Sequence, residues 1–205
     1  MEIRELKIKG AWEVTTKHFP DERGIFLEAY KSSEFEKAVG HKIDLRQANI
    51  SVSKAGTVRG IHFADVPPSQ AKYVVCPRGA VLDFVIDIRV GSPTFGQWDS
   101  VLLDDVSRKA IYISEGLGHC FVALEDDSTV LYMCSAEYAP GREHGVNPLC
   151  KCVGLEFPET DRHGNKLELL LSPKDTEALG LCKAKKAGLL PSYEGVQEFI
   201  ATLDK

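Results

Sequence analysis

The chain has 205 residues, with 25 Lys and Arg against 30 Asp and Glu, for a formal net charge of −5. Hydrophobic residues make up 43% and charged residues 27%, the proportions of an ordinary globular protein long enough for one well-buried domain. The acidic balance gives no electrostatic reason to expect a nucleic-acid partner, and no apolar run reaches membrane-spanning length, so no membrane partner is expected either.

The opening Glu2-Ile3-Arg4-Glu5-Leu6-Lys7 is charged and alternating, unlike a secretory signal, and a cytoplasmic protein is expected. Ile3 to Lys9 reads as a strand, and Trp12 to Thr15 repeats the pattern after Gly10. A turn cluster at Phe19 to Gly24 precedes a strand at Ile25 to Tyr30. Ser33 to Val39 reads as a short helix with a serine cap and a glycine stop at Gly40. Gln47 to Ser53 is strand-like. Further short strands follow at Ala80–Arg89, with Leu82, Phe84, Ile86 and Ile88 on one face, and at Trp98–Leu103, Ala110–Ile113, Cys120–Leu124 and Thr129–Cys134. Short strands at regular spacing with Gly and Pro turns predict an antiparallel sandwich or barrel.

The texture changes near Tyr138. Residues 139–161 are irregular and polar, and helical signals begin at Ser172-Pro173-Lys174-Asp175, with a serine N-cap and proline in the first turn. Helices are expected at Asp175–Leu179, Leu181–Ala187 and Tyr193–Leu203. One domain, 1–205, is expected, with a β core over about 1–138 and an irregular and helical tail over about 139–205. The six cysteines, Cys76, Cys120, Cys134, Cys150, Cys152 and Cys182, are scattered through apolar segments and read as reduced thiols.

Chemistry concentrates in Ser51 to Tyr73, where Arg59, His62 and Lys72 lie among short apolar runs. Strand alternation puts Thr57, Arg59 and Ile61 on one face and Val58, Gly60 and His62 on the other. A bulge at Gly60 would re-aim Arg59 and His62 toward one cavity. His62 suits a general base, because an imidazole titrates near neutrality. The alternative is a histidine satisfied in the core. Lys72 suits an oxyanion or a phosphate, or else simply reaches water. Tyr132 and Tyr138, six apart, are candidate general acids or core-edge residues. Asp175 could orient His62, but Ser172-x-x-Asp175 also resembles a capping box, and one short carboxylate would struggle to do both. His119, after a glycine turn, sits at the mouth of a strand. Metal-binding β-barrels carry two histidines one residue apart followed by a glutamate. Neither His62 nor His119 has such a partner, and Cys150-x-Cys152 lacks a matching pair, so no metal is expected.

The set Asp21-Glu22-Arg23-Gly24-x-Phe26, Gln47-x-Asn49-x-Ser51-x-Ser53, Gly56-x-x-Arg59-Gly60-x-His62, Gln70-x-Lys72, Gly79-x-x-x-Asp83 and Gly118-His119-x-Phe121 resembles the dTDP-4-dehydrorhamnose 3,5-epimerase family. The match continues through Tyr132, Tyr138-Ala139-Pro140, Glu143-His144 and Leu171-Ser172-x-x-Asp175, and covers nearly the whole chain. Arg89 to Gly96 and Gly188 to Pro191 look most like the branch serving antibiotic and other deoxysugar pathways. The resemblance implies a mainly β, cupin-type jelly roll with a short helical tail, a homodimer, no cofactor, and a dTDP-4-keto-6-deoxyhexose substrate epimerised at C3 and C5. It implies His62 as base, Asp175 as its orienter, Lys72 against the enolate and Tyr132 as acid. Substrate contacts would come from His119, from Arg23 and Arg59 at the diphosphate, and from Gln47 and Asn49. Phe19, Phe26 and Tyr138 would stack on thymine, and Glu28 would accept from its N3–H. The Arg23–Glu28 segment would reach into the neighbouring subunit. Cys120, where relatives more usually carry Gly or Ala, is read as able to alter how the sugar turns. The alternatives are a C3-only or C5-only epimerase, or a non-catalytic sugar-nucleotide-binding cupin. A 3,4-ketoisomerase resembles a different histidine arrangement.

Overall fold

The computed structural model describes residues 1–203; Asp204 and Lys205, the end of the expected tail, lie outside the described residues. Two antiparallel sheets form an open sandwich rather than a closed barrel. The six-stranded sheet runs, in spatial order, β1 (Glu2–Glu5), β2 (Ala11–Thr15), β10 (Ala110–Ile113), β7 (Lys72–Arg78), β12 (Ser128–Cys134) and β5 (Gln47–Ser53). The five-stranded sheet runs β13 (Glu143–Gly145), β6 (Val58–Ala64), β11 (Gly118–Ala123), β8 (Ala80–Ile86) and β9 (Trp98–Asp104). A separate hairpin pairs β3 (His18–Asp21) with β4 (Gly24–Leu27).

Alternation along these strands sorts the apolar residues into three clusters. Val74 and Cys76 of β7, Val81 and Val85 of β8, Ile111 and Ile113 of β10, Phe121 and Ala123 of β11 and Val130 of β12 fill the space between the sheets. The opposite parity of the five-stranded sheet, including Ile61, Phe63, Phe84, Ile86, Cys120 and Val122, packs against the tail residues Leu181, Ala184 and Leu190. The outer face of the larger sheet meets Phe35 of α1 (Ser32–Val39) through Tyr73 and Tyr112. The smaller sheet is therefore covered on both faces, which is why β8 and β11 read as near-continuous apolar runs. Full burial of such side chains stabilises by about 1.5–3 kcal/mol each.

Several expectations change in detail. The first strand stops at Glu5, because Leu6 N–H bonds Ala11 and Ala11 N–H bonds Ile8, turning the chain at Gly10. The turn cluster at Phe19–Gly24 is the hairpin β3–β4 with Glu22 and Arg23 at its tip. Ser32 and Ser33 lie inside α1, whose N-cap is Lys31 with no side-chain cap bond; Gly40 closes it in the left-handed region, as expected. The tail forms α2 (Pro173–Glu177), α3 (Leu181–Lys186) and α4 (Tyr193–Ala201), the first and third capped by Ser172 and Ser192. The short β13 lies in a stretch expected to be irregular; its pairing with β6 defines it. Cys152 and Cys182 form a disulfide with Cα atoms 6.3 Å apart, correcting the reading of all six cysteines as reduced thiols. The tail brings these two side by side across 30 residues, a proximity that scattered spacing does not reveal. Among the described residues no helix is long and apolar enough to cross a membrane.

Candidate active site

Between the sheets a cavity of about 420 Å³ is lined by Arg59 and His62 of β6, Lys72 of β7, His119 and Phe121 of β11 and Tyr132 of β12. The tail closes it with Leu170, Leu171, Ser172, Lys174 and Asp175. Arg59 and His62 share this wall despite their opposite parity because of the bulge anticipated at Gly60. His119 pairs with His62 and Phe121 with Arg59, so three steps on β6 face two on β11. The extra residue lets Ile61 turn into the tail-side core while its flanking polar residues face inward. Glycine is required there: φ is +123°, and an added Cβ would lie 2.7 Å from the Cys120 Cα.

Asp175 reaches His62, its Oδ1 accepting from Nε2 at 2.7 Å. The feared competition with helix capping does not arise, because Ser172 does the capping. Its Oγ accepts from the Asp175 N–H at 3.2 Å and its hydroxyl donates to Asp175 Oδ2 at 2.7 Å. Burial alone would raise the Asp175 carboxyl. The hydrogen bonds from His62 and Ser172, with the nearby Lys174 charge, outweigh it and hold the group below its ordinary value. An ionised carboxylate only accepts, so Nε2 carries the proton and Nδ1 is the ring atom left to act as a base.

Across the cavity Lys72 is half-buried, and desolvation pushes its ammonium down against the opposing charges of Cys134, Glu143 and Asp83. Tyr132 is pushed up, chiefly by burial, with Cys134 and Glu143 adding to the shift and Arg59 opposing it, so its hydroxyl stays protonated. His119 Nε2 lies 2.8 Å from Oδ2 of Asp83, a wholly buried carboxyl that desolvation raises. A smaller adjoining cavity shares His62, Lys72 and Tyr132 and adds Gln47, Asn49, Gln70, Tyr138 and Glu143. Strand register brings Gln47 and Asn49 there, opposite Cys134 and Tyr132. Gln47 Nε2 donates to Asn49 Oδ1 at 2.8 Å, and its carbonyl accepts from the Tyr138 N–H at 2.8 Å. Arg59, Lys72 and Lys174 thus gather positive charge in one place despite the acidic total.

The remaining candidates stand apart in the single chain. Among the described residues Arg23 pairs with Asp21 at the hairpin tip, with 86% of its side chain exposed. Phe19 and Phe26 lie side by side with tilted rings, 43% and 68% exposed, and Glu28 approaches Lys31. Cys120 does not line the cavity: the alternation that points His119 inward buries its thiol in the tail-side core, where it cannot touch a sugar. Asp83, Ser172, Lys174 and Phe121 were not singled out as site residues. A carboxylate inside Val81-Leu82-Asp83-Phe84-Val85 was a visible signal for the first; the others depend on tertiary placement. Among the described residues no group of three or more His, Cys, Asp or Glu is placed to hold a metal.

The family model described as dTDP-4-dehydrorhamnose 3,5-epimerase matches residues 5–183. A dTDP-4-dehydrorhamnose 3,5-epimerase of Mycolicibacterium smegmatis is 57% identical over 99% of this chain and 97% of its own. A dTDP-4-dehydrorhamnose 3-epimerase of Streptomyces niveus is 51% identical over 96% of this chain and 92% of its own. The solved structure of the Mycobacterium tuberculosis rmlC epimerase aligns with a TM-score of 0.94 at 49% identity, with 100% of each chain covered. The chain belongs to the dTDP-4-dehydrorhamnose 3,5-epimerase family, a family of isomerases.

Proposed function

We propose that the protein epimerises dTDP-4-keto-6-deoxy-D-glucose at C3 and C5. The observation that carries this reading is the convergence on one cavity of a carboxylate-oriented imidazole, a partly desolvated ammonium and a protonated phenol. The C4 ketone makes the neighbouring C–H bonds acidic. His62 Nδ1 takes the proton, the bonding pair moves onto the C4 oxygen, and the Lys72 ammonium stabilises that oxyanion. Tyr132 O–H returns a proton to the opposite face of the same carbon, inverting it. Proton exchange with water then resets both groups. Arg59 suits the diphosphate, because a guanidinium fork matches phosphate oxygens; His119, Gln47, Asn49 and Tyr138 complete the binding surface.

The same reading makes the enzyme a homodimer in which Arg23, Phe19, Phe26 and Glu28 enter the neighbour's site. It is supported by the solvent-exposed hairpin and by the edge strand β5, which leaves Ile50 70% and Val52 57% exposed. The β core and the tail act as one unit, since Asp175 comes from the tail, and a cytoplasmic location goes with this role. The test is incubation with substrate in D₂O followed by NMR: deuterium enters C3 and C5, and light scattering reports a dimer. Deuterium at one carbon only would establish a mono-epimerase, the activity for which the S. niveus relative is named. His62→Asn should abolish exchange while dTDP still binds. Exchange that survives in that variant removes His62 from the base role, and binding with no wild-type exchange points to a non-catalytic binding protein.

A further inference from the structure

The cavity contains a second imidazole–carboxylate pair for which the proposed reaction has no chemical task. His62 and His119 are register partners on β6 and β11. Each turns Nε2 onto a carboxylate from another element, Asp175 at 2.7 Å and Asp83 at 2.8 Å. The two carboxylates differ in how they are satisfied. Asp175 divides its oxygens between His62 and Ser172. Asp83 is fully buried, and its second oxygen, Oδ1, has no hydrogen-bond partner among the described residues. A buried carboxylate with a bare oxygen is costly unless cations balance it. The groups able to do so here are Lys72 and a protonated His119.

We propose that Asp83 is a positioning residue that holds His119 as a proton donor beside Lys72, facing the oxygen on which charge develops when His62 removes a substrate proton. Asp83 fixes Nε2 of His119, which leaves Nδ1 as the atom presented to the cavity. With the ring protonated, Nδ1–H is a second donor to the enolate oxygen. The two pairs thereby divide the labour: the well-satisfied Asp175 leaves His62 as a base, and the under-satisfied Asp83 demands a cation at His119. The charged and titratable groups around His119 are Arg59 and His62 from β6, Lys72 from β7, Asp83 from β8, Tyr132 from β12, and Lys174 and Asp175 from α2. Burial raises the Asp83 carboxyl, and His119 and Lys72 act against that shift without cancelling it. This inference rests on the epimerase reading for its chemistry, though not for the coupling between Asp83 and His119.

The experiment is an NMR titration of ¹⁵N-histidine-labelled full-length protein, wild type and Asp83→Asn, with steady-state kinetics on the same samples. The amide preserves shape and an acceptor for Nε2–H but removes the charge. In the variant His119 should lose its second proton at lower pH than in the wild type, with the His62 titration little changed. Removing one donor to a developing oxyanion lowers kcat by about 10²-fold. KM should stay within about threefold, and the basic limb of the kcat profile should move to lower pH, because a cation without its anion deprotonates sooner. An unchanged His119 titration overturns the proposal. So does a rise in KM with kcat intact, which would make the pair a binding element only. Should Asp83→Asn fail to fold, His119→Gln replaces it in the kinetics, and a wild-type His119 that is neutral at pH 7 overturns the assignment. A wild type that exchanges no substrate proton sinks the epimerase reading, while the titration still decides the coupling.

Discussion

Replacing Asp175 by Asn separates orientation from folding. The carboxylate makes two short contacts, 2.7 Å to His62 Nε2 and 2.7 Å from the Ser172 hydroxyl. The helix cap runs instead from the Asp175 backbone N–H to Ser172 Oγ. The amide keeps that cap and the side-chain volume, but its NH₂ can face His62 and stabilise the wrong tautomer, placing the proton on Nδ1 where the base must be free. A positioned base contributes about 10²–10⁴-fold, so kcat should fall at least 100-fold, equivalent to about 2.7 kcal/mol of barrier. Ser172→Ala gives the reverse profile: the lost cap costs about 1 kcal/mol of stability, and the smaller loss of kcat reflects an Asp175 deprived of one donor. Deuterium wash-in measures the first effect and thermal melts the second. Because the Asp175 carboxyl is held below its unfolded value, it stabilises the fold above the unfolded pKa, and this is lost as pH falls through the lower folded value. The acid-side drop in melting temperature should therefore be smaller in Asp175→Asn. Wild-type exchange in Asp175→Asn would refute the orienting role.

Three further outcomes follow from the geometry. Tyr132→Phe should lower net epimerisation by about 10²-fold or more yet leave deuterium exchange at the substrate carbons, since the proton held by His62 can exchange with D₂O and a deuteron return to the same face; parallel loss of both would assign Tyr132 to the abstraction step. Gly60→Ala puts a Cβ against the Cys120 backbone at φ +123° and should destabilise by about 1–3 kcal/mol from the backbone alone; an unshifted urea midpoint would show that the bulge relaxes freely. Cys152→Ser with Cys182→Ser opens a link across 30 residues, worth about 3–4 kcal/mol of chain entropy, and reduction of the wild type should lower its melting temperature as much. No response to a dithiol would remove the disulfide from the stability of the fold.

How much of this was legible beforehand depends on the range of the signal. β5 was bounded from its alternation and β10 from a short apolar run of strand length, because both signals are written in the residues themselves. The capping serine of α2 was equally local. The His62–Asp175 bond spans 113 residues; the residues alone left it open against a helix cap, and the family resemblance favoured it. Cys120 was open to correction from the sequence, since an inward His119 implies an outward neighbour. The short β13 and the disulfide have no local mark. Both arise from how the tail folds back, and no composition or period encodes that.

The bulge at Gly60 explains why the site needs both the sheet and the tail. In a regular strand Arg59, Ile61 and Phe63 would share a face. An inward Arg59 would then bring Ile61 into the cavity and send His62 into the apolar layer under Leu181 and Ala184. An imidazole there would meet no carboxylate and would pay for its desolvation without a partner. One inserted residue instead sends Ile61 into that layer, fully buried, and keeps the cation and the base on the cavity wall. The tail covering Ile61 is the same segment that curls over the end of β6 as α2 and delivers Asp175 to His62. Packing of Ile61 and orientation of His62 are thus two consequences of one contact between β6 and the tail. Damage to that contact should reach catalysis before it unfolds the sandwich, whose inter-sheet core does not depend on it.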